Sequence, residues 1–107
     1  MPVTISTDQN FDQQLNESPK IIVKFYADWC GSCKLFAPKY RRLADDSRFE
    51  DVIFLDINAE QNPEARKSAG VNNLPFFAAF SNGKLLTGEA TSKEENVVNM
   101  IEKLIQS

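Results

Sequence analysis

The only two cysteines of this 107-residue chain, Cys30 and Cys33, lie three positions apart within Trp29-Cys30-Gly31-Ser32-Cys33-Lys34. The hexapeptide sits where a strand pattern hands over to a helix pattern. Across the first turn of a helix, that spacing lets two sulfurs close a small-loop disulfide or open it as a dithiol. This is the chemistry of thiol–disulfide exchange. At a helix start, Cys30 would face unpaired backbone N–H groups and the positive end of the helix dipole. Both lower a thiol pKa from about 8.5. Cys30 is therefore the expected nucleophile. Cys33, one turn deeper, would attack the resulting mixed disulfide and release the reduced substrate. The plainer alternative is a closed, inert disulfide.

A Cys-x-x-Cys pair also suits zinc or iron. Histidine is absent and no second cysteine pair exists, so one chain cannot complete a tetrahedral soft-ligand set. A metal site shared between two chains stays open on this count.

Neighbouring residues have roles to be weighed. Trp29 either fills space beside a strand end or offers a partly exposed platform for substrate. Gly31 leaves room for a substrate to approach. Ser32 places an N–H and a hydroxyl near the thiolate, where both can stabilise negative sulfur. Lys34 reads as a solvated helix residue. Lys24 interrupts an apolar strand; the bland reading is a packed alkyl stem with its amine reaching water.

The elements that must position these groups follow from periodicity. Val3-Thr4-Ile5 predicts a short edge strand. Ser6 and Gln9 predict a capping box opening a helix that buries Phe11 and Leu15. Asn16-Glu17-Ser18-Pro19 ends it. Ile21 to Ala27 is almost continuously apolar, as in a central strand covered on both faces. Gly31 onward reads as a helix to about Asp46, with an apolar stripe of Leu35, Phe36, Tyr40 and Leu43 and a kink at Pro38. Val52 to Ile57 is a second buried strand. Asn62-Pro63 supplies a cap and first-turn proline for a short helix stopped by Gly70. Phe76 to Phe80 and Leu85-Leu86 flank Asn82-Gly83, a tight-hairpin signal. Ser92-Lys93-Glu94-Glu95 predicts a capping box for a last helix striped with Val97, Val98, Ile101, Leu104 and Ile105. The order β-α-β-α-β-α-β-β-α places the two buried strands as parallel neighbours, with the hairpin as an antiparallel edge.

Size and composition suit one domain spanning residues 1–107, 42% hydrophobic with eight phenylalanines. A net charge of −3 without a Lys/Arg block argues against nucleic acid. No run approaches membrane-spanning length and no secretory leader is visible, so the expectation is a cytoplasmic monomer.

With these features in place, the chain resembles the thioredoxin family over essentially its whole length. Phe25 to Lys34 is similar to that family's active-site stretch. Pro38 matches the proline of its active-site helix, and Leu74-Pro75, after Gly70-Val71-Asn72-Asn73, matches its cis-proline segment. The resemblance implies a three-layer α/β sandwich with a mixed sheet. It also implies a redox-active Cys30–Cys33 couple, Trp29 as a substrate platform, and a cis bond after Leu74 facing the cysteines. That bond would leave the Leu74 backbone free to pair with an extended substrate and would keep metal from the sulfurs.

Departures are visible too. The family's usual Cys-Gly-Pro-Cys is Cys-Gly-Ser-Cys here. Its buried acid six residues before the first cysteine is Lys24, and the glycine preceding its last helix is missing. The resemblance thus puts the Lys24 amine beneath the cysteines, in proton transfer, with the carboxylate base lost. Phe76 replaces a small β-branched residue, and Asn72 and Asn73 make their loop unusually polar, which could change partner choice.

The leading function is reduction of protein disulfides, with electrons from a thioredoxin reductase. The chain has no glycine-rich dinucleotide fingerprint, so it should bind no cofactor itself, and NADPH and flavin belong on that partner. Two alternatives remain: an oxidant or isomerase, and a binding subunit with little turnover.

Overall fold

The computed structural model describes residues 3–107. Five strands, β1 (Thr4–Ile5), β2 (Lys20–Tyr26), β3 (Ile53–Asn58), β4 (Phe76–Ser81) and β5 (Lys84–Ala90), form one sheet. The helices are α1 (Phe11–Glu17), α2 (Gly31–Ala44), α3 (Pro63–Ala69) and α4 (Glu94–Gln106). The strand order is β1-β3-β2-β4-β5. β3 runs parallel to both β1 and β2, while β4 is antiparallel to β2 and β5. The mixed sheet and its antiparallel edge follow the expected order.

Side-chain alternation along the central strands separates two cores. Ile21, Val23 and Phe25 of β2 pack with Leu55 and Ile57 of β3, Phe11 of α1 and Ala65 and Ala69 of α3. Ile22 and Phe54 face the other way, onto Phe36, Tyr40 and Leu43 of α2 and Val97, Ile101 and Leu104 of α4. Helices thus cover both faces, giving the three-layer α/β sandwich. The same alternation turns the Lys24 and Asp56 side chains toward the α2 face.

Turn chemistry behaves as read at two points. Gly70 ends α3 with φ 69°, and Asn82 and Gly83 make the β4–β5 turn with φ 52° and 83°. Both turn residues lie in the left-handed region that a two-residue hairpin loop demands.

Several local expectations need correction. The Ser6–Gln9 capping box does not form: α1 starts at Phe11. The Ser6 hydroxyl instead donates to Asn10 Oδ1 and Gln14 Oε1. Asn62 does not cap α3 with its side chain. Asp8 does so from a distant loop, accepting from the N–H groups of Glu64 at 3.1 Å and Ala65 at 2.8 Å. At α4 the side-chain contacts come from Thr91 Oγ1, which accepts from Lys93 N–H and Asn96 Nδ2, so the Ser92 capping box is not formed. Helix α2 runs through Pro38 but ends at Ala44, and a 3₁₀ turn follows over Ser47–Phe49. Leu35, expected on its buried stripe, is 76% exposed.

Candidate active site

β2 delivers the chain to Ala27, and Asp28 and Trp29 lead to Cys30, the residue capping α2. Cys30 and Cys33 form a disulfide, with Cα atoms 5.3 Å apart. Cys30 Sγ accepts a hydrogen bond from the Cys33 backbone N–H at 3.2 Å, one of the orphan donors at the helix start. The Ser32 hydroxyl lies 3.6 Å from the same sulfur. The sulfur expected to attack is thus the one that receives the helix N-terminal donor, and a thiolate formed there would keep it. The expected difference in exposure is not seen in the oxidised form, where Cys30 and Cys33 are 4% and 3% exposed. The bond draws both sulfurs against Ala27, Tyr26 and Leu74.

The rim is more open. Gly31 and Ser32 are exposed, and no atom crowds the space a Gly31 Cβ would occupy. Trp29 is 68% exposed, which rejects the space-filling reading. Its indole Nε1 donates to Glu60 Oε2 at 2.7 Å, which holds the ring against the loop after β3. Leu74 packs on the cysteine cluster, and the Leu74–Pro75 bond is cis, as the resemblance implied. The Pro75 carbonyl accepts from Thr91 N–H at 3.1 Å, tying the segment to the end of β5.

Lys24 does not reach water: the residue is 3% exposed. Lys24 pairs in register with Asp56 across parallel β2 and β3. Its Nζ lies 3.3 Å from Asp56 Oδ1 and 5.1 Å from the Tyr40 ring centroid. The contact is an ion pair without hydrogen-bond alignment, so Oδ1 is buried with no hydrogen-bond partner among the described residues. Burial pushes the Asp56 carboxyl above the usual carboxylate value, against the opposing pull of Lys24 and Arg41. The Tyr40 hydroxyl donates to the carbonyls of Ile22 and Leu55; burial, then Asp56, drives its pKa well up.

Lys24 and Asp56 line one cavity of about 200 Å³ with Tyr26, Ala27, Cys33 and Ala37, and Asp28 and Lys34 line it as well. The cavity brings the ion pair to the Cys33 side of the disulfide. The expectation that the buried carboxylate had been lost is therefore corrected. A carboxylate is present, but on the adjacent strand, facing the lysine. Sequence reasoning missed Asp56, although it is the only charged residue in Val52–Ile57.

A thioredoxin family model matches residues 2–106. The chain belongs to the thioredoxin family. It is 30% identical over 105 residues to Thioredoxin-T of Drosophila melanogaster, a match covering 96% of this chain and 66% of that protein, just under two thirds of its length. Among solved structures, thioredoxin of Plasmodium falciparum superposes with a TM-score of 0.86 at 25% identity, covering 94% of this chain and 98% of that one. The short form of spinach chloroplast thioredoxin f gives 0.90 at 24% identity, covering 97% and 94%. The likeness to spinach thioredoxin f concerns the fold. The thioredoxin-type Cys30–Cys33 pair is redox-active and capable of thiol–disulfide exchange, which makes the chain an oxidoreductase. No group of three or more His, Cys, Asp or Glu poised for a metal ion occurs among the described residues, and none of their helices is long and apolar enough to cross a membrane.

Proposed function

We propose that the chain reduces protein disulfides, with Cys30 as nucleophile and Cys33 as resolving thiol. The observation that carries this assignment is the Cys33 N–H donated to Cys30 Sγ at 3.2 Å, at the N-terminus of α2. The Cys30 thiolate attacks one sulfur of a substrate disulfide, and the other sulfur leaves as a thiolate. Cys33 then loses its proton and attacks Cys30 Sγ. The Cys30–substrate bond breaks, the Cys30–Cys33 bond forms, and the substrate departs fully reduced.

The Cys33 proton passes to Asp56. Asp56 lines the shared cavity with a buried oxygen that has no hydrogen-bond partner among the described residues, and its ion pair with Lys24 holds it in place. Lys24 therefore acts on Cys33 through Asp56 and through its own positive charge. The substrate lies along Trp29, Gly31 and Ser32 and pairs its backbone with Leu74 beside Pro75. The Cys-Gly-Ser-Cys site departs from the family's usual proline-containing one, and Ser32 tunes the couple toward a less reducing potential. Electrons come from a thioredoxin reductase or a similar dithiol donor that carries flavin and NADPH.

Insulin reduction tests the reading, first with a chemical dithiol and then with a reductase plus NADPH. We expect turnover in both, abolished by Cys30→Ser. No turnover in either would leave the fold as a binding module. Turnover with the chemical dithiol alone would remove the reductase from the proposal.

A further inference from the structure

Four backbone positions at Leu74-Pro75 decide how an extended partner could pair beside the disulfide. Pro75 has no N–H to offer. Its carbonyl is held by Thr91 N–H at 3.1 Å. The Leu74 N–H is occupied as well: it donates to the side-chain Oδ1 of Asn73 at 2.9 Å. No hydrogen bond reaches the Leu74 carbonyl among the described residues. The segment on which substrate pairing depends thus presents one open acceptor and one covered donor.

We propose that Asn73 is a specificity-determining residue whose side-chain amide stands in for the substrate backbone at Leu74 and must be displaced before a peptide can pair there. The proposal rests on the disulfide-reductase reading and deepens it. Strand-like pairing with one residue uses both its N–H and its C=O. A partner can reach the Leu74 carbonyl with Asn73 in place, but forms the second bond only by exchanging its own carbonyl for Asn73 Oδ1. Asn73 is exposed, so its displaced amide returns to water at little cost. The Leu74 N–H exchanges one acceptor for another, and the net gain from that substrate hydrogen bond largely disappears. The chain should therefore discriminate against partners whose affinity depends on main-chain pairing at this point. It should favour those whose side chains engage the exposed Trp29 surface.

The test is single-turnover formation of the mixed disulfide on a Cys33→Ser background, with a disulfide-bonded peptide as probe. A small aromatic disulfide without peptide groups serves as the parallel probe. In both, the Cys30 thiolate displaces one sulfur, so thiol chemistry is common and only backbone pairing differs. Asn73→Ala should raise the second-order rate with the peptide by about two- to tenfold, the worth of one ordinary hydrogen bond. The gain should appear in the peptide's half-saturating concentration rather than in the limiting rate. The small disulfide should react at an unchanged rate. Asn73→Asp keeps an acceptor and charges it, so it should restore or exceed the wild-type restraint on the peptide. Asn72→Ala, whose side chain makes no such bond, should behave as the parent.

An unchanged or slower peptide reaction in Asn73→Ala overturns the proposal. So does an equal acceleration with both probes, which would place the effect in Cys30 reactivity. If no variant forms a mixed disulfide through Cys30, the reductase reading fails and this proposal falls with it. Normal trapping that ignores Asn73 sinks this proposal alone.

Discussion

Lys24 and Asp56 oppose each other across two parallel central strands, with Nζ 3.3 Å from Oδ1. Neither residue faces water freely: the side chains are 4% and 25% exposed. Lys24 and Asp56 each place a charge within an apolar stretch of their strands, and each charge makes the other tolerable. A buried pair of this kind is costly to break and cheap to replace as a unit.

Stability of single and double variants tests that relationship. Asp56→Leu leaves the Lys24 ammonium buried without its partner. It should cost about 2–4 kcal/mol, somewhat below the full range for buried pairs because Asp56 is partly exposed. Lys24→Met/Asp56→Leu removes both charges and should recover most of that loss. Urea unfolding of the oxidised proteins reads both values. Additive losses in the double variant would show that the two residues stabilise the sheet independently.

Proton transfer makes a separate prediction. The Asp56 carboxyl lies above its ordinary value, mainly through burial. Below that raised value the group is already protonated and cannot accept from Cys33. Resolution of the mixed disulfide should therefore slow as pH falls through the raised pKa and should lose that inflection in Asp56→Asn. At neutral pH, Asp56→Asn should slow resolution roughly a hundredfold or more. Lys24→Met should also slow it, while keeping an inflection displaced toward higher pH because Asp56 loses its cation. Stopped-flow rates across pH distinguish these shapes. The stability sign follows from the same shift. A carboxyl raised in the folded state contributes most at low pH, and its contribution declines as pH rises from the ordinary value through the raised one.

How far the sequence disclosed this site depends on the range of each interaction. The cysteine spacing, the helix start, the Asn82-Gly83 turn and the Gly70 stop are local, and each was legible from a few neighbouring residues. The fold followed from the alternation of strands and helices, with the family resemblance supporting it. Lys24 was visible as an anomaly, but its partner was not. Finding Asp56 requires the register of β2 against β3, which is set by packing on both sheet faces. The expected Asn62 cap failed for the same reason. Asp8 closes the start of α3 from a residue 56 positions before Glu64, where no local motif could reveal it. Asn73 was noted only as polar, because a side chain bonding the next residue's N–H depends on loop geometry.

Chemical labelling tests the division of labour between the cysteines. The oxidised form leaves them almost equally buried, so exposure does not decide it. The helix N-terminal donor does, because it points at Cys30 Sγ. Brief alkylation of the reduced protein at neutral pH should modify Cys30 first, as read by peptide mass analysis. Cys33→Ser should accumulate a mixed disulfide through Cys30. Preferential labelling of Cys33 would exchange the two roles.

Ser32 provides the last prediction. Its hydroxyl lies 3.6 Å from Cys30 Sγ, on the exposed rim of the first helical turn. After reduction, the same hydroxyl is placed to donate to the thiolate, and a hydrogen bond to a charged group is stronger than a neutral one. Proline would remove both the hydroxyl and the backbone N–H, while its fixed φ suits the start of a helix. The reduced form would lose support that the disulfide never needed to the same degree. Ser32→Pro should therefore lower the reduction potential by about 30 mV or more, equivalent to roughly tenfold in the two-electron exchange constant. Ser32→Ala removes only the hydroxyl and should fall between wild type and the proline variant. Equilibration against a glutathione redox buffer measures all three. A potential that stays constant or rises in Ser32→Pro would leave tuning of the couple to the helix start and the Lys24–Asp56 pair.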